Sequence, residues 1–165
     1  MKIYLVRHGI AEEPDGSSVQ GDSQRPLTDK GRDKINKIAR ALKTLDVKPD
    51  LILSSPFVRA EQTATILAKE FACKKRLKFS DLLVPTGKAE DIIAEIKQNC
   101  MVDELVIVSH EPCLSLLIST LVAGRPELAV NIKKGGVCCL LADDLRIEPR
   151  ATLEWLVTPK ILLRS

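Results

Sequence analysis

The chain has 165 residues, 45% of them apolar and 28% charged, with a net charge of +3; this is one domain's worth of ordinary soluble globular sequence. The small charge, an aromatic content of 3% and a single basic run, Lys74-Lys75-Arg76-Leu77-Lys78, exclude a nucleic-acid face built on clustered cations and stacking rings. No apolar run reaches a membrane span, since only four residues separate Lys2 from Arg7 and the stretch Leu114–Ala123 is interrupted by Ser115, Ser119 and Thr120; the expectation is a soluble, cytoplasmic protein with no membrane partner.

In chain order, Ile3–Val6 reads as a first strand that ends on Arg7-His8-Gly9. Glu12–Arg25 is polar, with Pro14, Gly16 and Gly21, and reads as a loop. Thr28 is placed to cap a helix whose apolar residues Ile35, Ile38, Ala39 and Leu42 fall on one stripe. Asp50–Leu53 reads as a second strand. Ser55 as N-cap and Pro56 as first helical residue then open a helix to about Phe71. The basic run after it reads as a solvated loop, followed by a short Leu77–Phe79 strand and a helix from Lys88 to Gln98. Leu105–Val108 is a continuous apolar run, as a strand buried on both faces requires. Ser109-His110-Glu111-Pro112 begins a further helix to about Ala123. Gly135-Gly136 makes a tight turn into a strand Val137–Ala142, and a polar, hairpin-like connection at Asp143–Arg150 leads to Leu153–Val157. Strands alternating with helices predict a three-layer α/β/α fold over residues 1–165, with a mostly parallel central sheet and one antiparallel strand.

The five cysteines, Cys73, Cys100, Cys113, Cys138 and Cys139, form no C-x-x-C pair, and the chain has only two histidines. A zinc cage lacks ligands at workable spacing, so the cysteines read as reduced core thiols. None is followed six positions later by arginine, which removes a cysteine-dependent phosphatase loop, and no Walker-type glycine loop is present.

Three strand ends stand out, because ligands of a parallel sheet bind beyond the carboxyl ends of its strands. The first ends at Arg7-His8, the second opens a helix whose first turn holds Arg59, and the Leu105–Val108 strand ends at Ser109-His110. Each has an ordinary reading singly, as a strand terminus or a helix ion pair. Together they put both histidines and two arginines on one sheet edge. An arginine in a first helical turn opposes the macrodipole unless an anion docks beside it, so the set describes an electropositive pocket for a phosphoryl group.

These residues resemble a known family. Arg7-His8-Gly9, Pro26-Leu27-Thr28 with Gly31, Ser54-Ser55-Pro56 with Arg59-Ala60 and Gln62-Thr63-Ala64, and Ser109-His110 resemble the histidine phosphatase superfamily, whose fold is phosphoglycerate-mutase-like. Within it, the short length, Arg25-Pro26-Leu27-Thr28, Arg59-Ala60-Glu61-Gln62-Thr63 and Ser109-His110 followed by Pro112 are similar to the SixA type of phosphohistidine phosphatase. The matches run in family order from Met1 to about Leu121, and Lys134–Trp155 resembles that type more loosely.

The resemblance implies a phosphatase without metal or cofactor that passes through a phosphoenzyme. His8 would be the nucleophile, with Arg7, Arg59 and His110 holding the equatorial oxygens. His8 must be neutral to attack, so a backbone carbonyl near Gly9 is expected to hold its other N–H. Gly9 is expected to let the backbone turn without crowding the bound group. The chain departs from the family at the general acid, where Leu82 aligns with a glutamate of the SixA type; Asp81, Glu12 and Glu111 are the candidates. A poor acid suits phosphohistidine, because an imidazole with a pKa of about 6.5 can leave as the neutral base. Between Phe71 and Leu105 there is room for one helix and no lid. An open site of that kind suits a phosphorylated protein, such as a histidine-containing phosphotransfer domain. A phosphatase of small phosphoesters (sugar phosphates or nucleotides) is the alternative. A mutase must shield its phosphoenzyme from water and fits less well. A non-catalytic phosphate-binding module is the reading from another class, and the intact Arg7, His8, Arg59 and His110 speak against it.

Overall fold

The computed structural model describes residues 1–14, 19–148 and 150–164. Six strands form one sheet in the order β3-β2-β4-β1-β5-β6: β1 Lys2–Arg7, β2 Leu51–Ser54, β3 Leu77–Phe79, β4 Glu104–Ser109, β5 Val137–Leu141 and β6 Thr152–Val157. β1 to β4 are parallel; β5 runs against β1, and β6 runs against β5. One strand, β5, therefore points opposite to all the others, as the closing hairpin predicts.

Alternation along the central strands makes the three layers. Ile3, Leu5, Leu105 and Ile107 face one core with Ile92, Ile96, Leu114, Leu117 and Leu121 of α4 (Ala89–Asn99) and α5 (Cys113–Ala123). Tyr4, Val6, Val106 and Val108 face the other with Ile35, Ile38, Leu42, Ala60, Ala64 and Leu67 of α2 (Asp29–Thr44) and α3 (Val58–Glu70). Period-two side chains buried on both faces are what a sandwiched parallel sheet needs. Burial of each such Ile or Leu is worth about 1.5–3 kcal/mol, so the strand ends rest on a rigid platform. All five cysteines are buried free thiols, in keeping with a core role.

Thr28 caps α2 as expected, its hydroxyl accepting from Gly31 N at 2.9 Å. Four boundaries differ from the sequence reading. Ser55 does not cap α3: its N–H still donates to Val108 O at 3.0 Å, extending the sheet ladder, and Phe57 takes the capping position instead. The Glu12–Arg25 stretch is not all loop. Its 15–18 portion lies outside the described residues, but Val19–Gln24 forms a short helix, α1, tied down by Asp22. The basic run is a 3-10 turn, Lys74–Arg76, leading into β3, and the chain ends on a further short helix, α6 (Pro159–Leu162). Tertiary contacts override weak local preference in such short segments. Phe71 to Leu105 holds one α-helix, α4, with two 3-10 turns and β3.

Register delivers the site. Arg7 pairs with Ser109 and Ser54 with Val108, so the next residues, His8, His110 and Ser55, leave neighbouring strands at one edge. His8 N continues the ladder to Ser109 O at 3.1 Å.

Candidate active site

His8 and His110 stand side by side at this edge, ring centroids 5.0 Å apart, and both are almost fully buried. His8 Nδ1 lies 2.7 Å from Gly9 O. A carbonyl only accepts, so Nδ1 carries the proton and Nε2 keeps its lone pair. Arg59 Nε, a donor only, meets that lone pair at 3.2 Å; both contacts select the same tautomer. The carbonyl expected near Gly9 is thus Gly9's own. Burial first, then the Arg59, Arg7 and Lys134 cations, push the His8 pKa down to about 3. Burial, His8 and Arg59 push that of His110 down to about 2. Both rings are neutral at neutral pH, as a nitrogen nucleophile must be.

His110 Nε2 lies 2.8 Å from Ser55 Oγ, which also accepts from Phe57 N at 3.3 Å. His110 Nδ1 and Arg7 Nε are buried with no partner among the described residues. Phe57 meets His110 edge-on, with centroids 5.2 Å apart, and Arg59 lies 5.2 Å from the centre of the Phe57 ring. Arg7 donates to Ile132 O at 2.7 Å. Burial lowers the pKa of both arginines, against the raising effect of Glu111 on Arg7 and of Asp22 on Arg59.

The motif residues around Arg59 act as ties. Thr63 Oγ1 accepts from Gly9 N at 3.1 Å and donates to Arg59 O at 2.7 Å, binding the His8 turn to α3. Gln62 Oε1 accepts from Leu27 N at 2.8 Å. Gly9 is required by packing rather than by room for a ligand: a Cβ there would sit 2.8 Å from Ile35 Cγ1 and 3.1 Å from Leu27 Cδ2.

A cleft of about 310 Å³ opens over these groups, lined by Arg7, His8, Glu13, Pro14, Arg25, Arg59, His110, Glu111 and Lys134. Larger cavities, of about 470 and 610 Å³, lie elsewhere, beside Asp143–Thr152 and along α4 and α5, and neither holds any of these residues. Among the described residues no three His, Cys, Asp or Glu side chains gather as a metal site would need. Of the sequence-derived residues, the cleft brings together His8, Arg7, Arg59, His110 and Glu111 and leaves Asp81 and Glu12 out of its wall. Asp81 is exposed on the 3-10 turn Asp81–Leu83, and Glu12 is exposed with its backbone paired to Pro26 and Arg25. The Glu111 carboxylate is occupied, accepting from Ser115 Oγ at 2.6 Å and Ile132 N at 3.2 Å; it steadies the segment that holds Arg7.

Sequence reasoning missed Glu13, Arg25, Lys134, Phe57 and above all Asp22. Asp22 Oδ1 accepts from Arg25 Nε at 2.9 Å and Nη2 at 2.6 Å. Its Oδ2 accepts from Arg59 Nη2 at 3.0 Å, and its carbonyl from Arg59 Nη1 at 2.6 Å. Burial pushes the Asp22 carboxyl up, but Arg25 and Arg59 outweigh it and hold the pKa below the usual carboxylate value. The Asp22–Arg25 spacing was visible, but nothing local told that Arg59, far along the chain, would complete it.

A neutral histidine with a fixed tautomer, set among arginines beyond the ends of a parallel sheet, defines a class, and comparison with known proteins agrees. Residues 3–82 match the family model of the histidine phosphatase superfamily, branch 1. The chain is 31% identical over 161 residues to the phosphohistidine phosphatase SixA of Escherichia coli K12, covering 96% of this chain and 94% of that protein. Its fold superposes on the protein histidine phosphatase SixA complexed with tungstate with a TM-score of 0.86 at 27% identity, over 98% of this chain and 99% of that one. The α-ribazole phosphatase of Shigella flexneri shares the fold, with a TM-score of 0.76 at 21% identity over 96% and 97% of the two chains. The chain belongs to the histidine phosphatase superfamily. Within that superfamily it is of the SixA type.

Proposed function

We propose that the protein dephosphorylates phosphohistidine on another protein, through a phosphoenzyme formed on His8, without a metal ion. The observation that carries this reading is the His8 imidazole, neutral, with Nδ1–H held by Gly9 O and Nε2 turned toward Arg59. Nε2 attacks phosphorus in line as the P–N bond to the substrate imidazole breaks, its electron pair returning to the leaving nitrogen. A substrate ring protonated on its far nitrogen leaves neutral, so this step needs no general acid. The charge moves to the His8 ring, where the Nδ1–H bond to Gly9 O supports it. Arg7, Arg59, His110 and Lys134 offset the phosphoryl charge. Water then attacks phosphorus, the Nε2–P bond breaks, and both water hydrogens leave on orthophosphate.

One feature favours phosphohistidine on a protein over small phosphoesters: no inserted cap between Phe71 and Leu105 borders the cleft. The acid does not separate the two substrate classes: of the carboxylates in the cleft wall Glu111 is held by Ser115 and Ile132, whereas Glu13 is exposed and free to protonate an alkoxide. The fold shared with an α-ribazole phosphatase keeps a small phosphoester as the second reading. The test compares turnover of a phosphorylated histidine-containing phosphotransfer protein with a panel of sugar phosphates and nucleotides, with and without EDTA. Faster hydrolysis of the phosphoprotein, unaffected by EDTA, is expected. Far faster turnover of the small esters contradicts the substrate, loss of activity in EDTA contradicts the metal-free chemistry, and binding without turnover of any substrate favours a binding module.

A further inference from the structure

The Arg59 side chain is 4% exposed, and all three of its nitrogens are already engaged: Nε with His8, Nη1 and Nη2 with Asp22. A phosphoryl oxygen can reach this guanidinium only by displacing something. We propose that Asp22 is an internal anion occupying the Arg59 side of the phosphoryl site, so that the residue sets substrate affinity by competing for Arg59. The inference rests on reading the cleft as a phosphoryl site.

Three observations make the exchange workable. First, Asp22 meets Arg59 through two oxygens, one carboxylate and one carbonyl, the two-point arrangement in which guanidinium binds carboxylate or phosphate alike. Second, Asp22 Oδ1 is held separately by Arg25, so the displaced carboxylate keeps a charged partner and is not stranded. Third, Asp22 is a third exposed while Arg59 is buried, so the carboxylate has somewhere to go. The same contact restrains the nucleophile. Arg59 Nε covers the Nε2 lone pair of His8, and drawing the guanidinium onto a phosphoryl oxygen uncovers it. A carboxylate carries one negative charge and a terminal phosphoryl group about 1.5 to 2 at neutral pH. Displacement therefore favours terminal phosphoryl groups over phosphodiesters, which bring one charge and gain nothing in the exchange.

The experiment is calorimetric titration with inorganic phosphate, which does not depend on which substrate the enzyme cleaves. Asp22→Asn keeps the shape and removes the charge; it is expected to bind phosphate roughly tenfold more tightly than wild type, with Asp22→Glu near wild type. Unchanged or weaker binding by a folded Asp22→Asn overturns the proposal and makes Asp22 a mere support for Arg59. Should that variant not fold, the carboxyl carbon resonance of Asp22 in the wild type is the second readout. It should move as phosphate saturates the site, and a fixed resonance overturns the idea. Wild type that fails to bind phosphate at all counts instead against the phosphoryl site itself.

Discussion

Acidification from pH 7 to pH 5 should destabilise this protein through its two histidines. His8 and His110 are buried and neutral in the folded state, with pKa values pushed down to about 3 and about 2, whereas in the unfolded chain each titrates near 6.5. Below that value the unfolded state binds more protons than the native one, so stability is full above about pH 6.5 and lost as pH falls. Because neither native ring protonates before pH 5, the loss depends on the unfolded value alone. It comes to about 2 kcal/mol per ring between pH 7 and pH 5, or about 4 kcal/mol together. Carboxylates have reference values of about 4.3 or less and do not contribute much in that window. Against a usual domain stability of about 5–15 kcal/mol the effect is large. Urea unfolding at pH 5, 6 and 7 and constant ionic strength reads it directly. His110→Asn should halve the slope. Stability that is level, or that rises toward pH 5, would refute the claim that both rings are buried neutral.

Two substitutions probe the supports of the site. Ser55→Ala removes the hydroxyl 2.8 Å from His110 Nε2 and leaves a buried ring nitrogen unpaired, at about 1–3 kcal/mol; kcat should fall about tenfold while Ser55→Thr retains most of it, and an unchanged kcat in Ser55→Ala would show that His110 needs no such hold. Gly31→Ala would drive a Cβ to 2.1 Å from Ile10 O, forcing α2 off the loop after β1. A loss of about 2–4 kcal/mol in urea unfolding is expected, and wild-type stability would contradict that packing.

The sheet and the four residues proposed for the site were legible because they are local. The apolar runs at Ile3–Val6 and Leu105–Val108 declare buried strands, and the residues just after them, His8 and His110, must emerge at the same edge once the strands are parallel. The Thr28 cap and the stripe from Ile35 to Leu42 are equally local signals. Ser55 was misread because a serine before a proline looks like a helix cap. Only the register of β2 on β4 shows that its N–H belongs to the sheet and its hydroxyl to His110. Gly9 looked like room for a ligand, whereas Ile35 and Leu27, distant in sequence, fill the space beside it. Asp22 lay in a stretch with too little apolar content to announce a helix, and its partner Arg59 lies 37 residues away. Charge pairing at such separations leaves no periodicity to read.

The central claim is that His8 carries the phosphoryl group between two displacements. Rapid quenching of the wild-type enzyme mixed with a 32P-labelled phosphohistidine protein tests it most directly. The account predicts a transient label on the enzyme, labile to acid and stable to alkali, mapping to His8, with neither label nor turnover in His8→Ala. Turnover that survives in His8→Ala, or a label that maps to another residue, would contradict it.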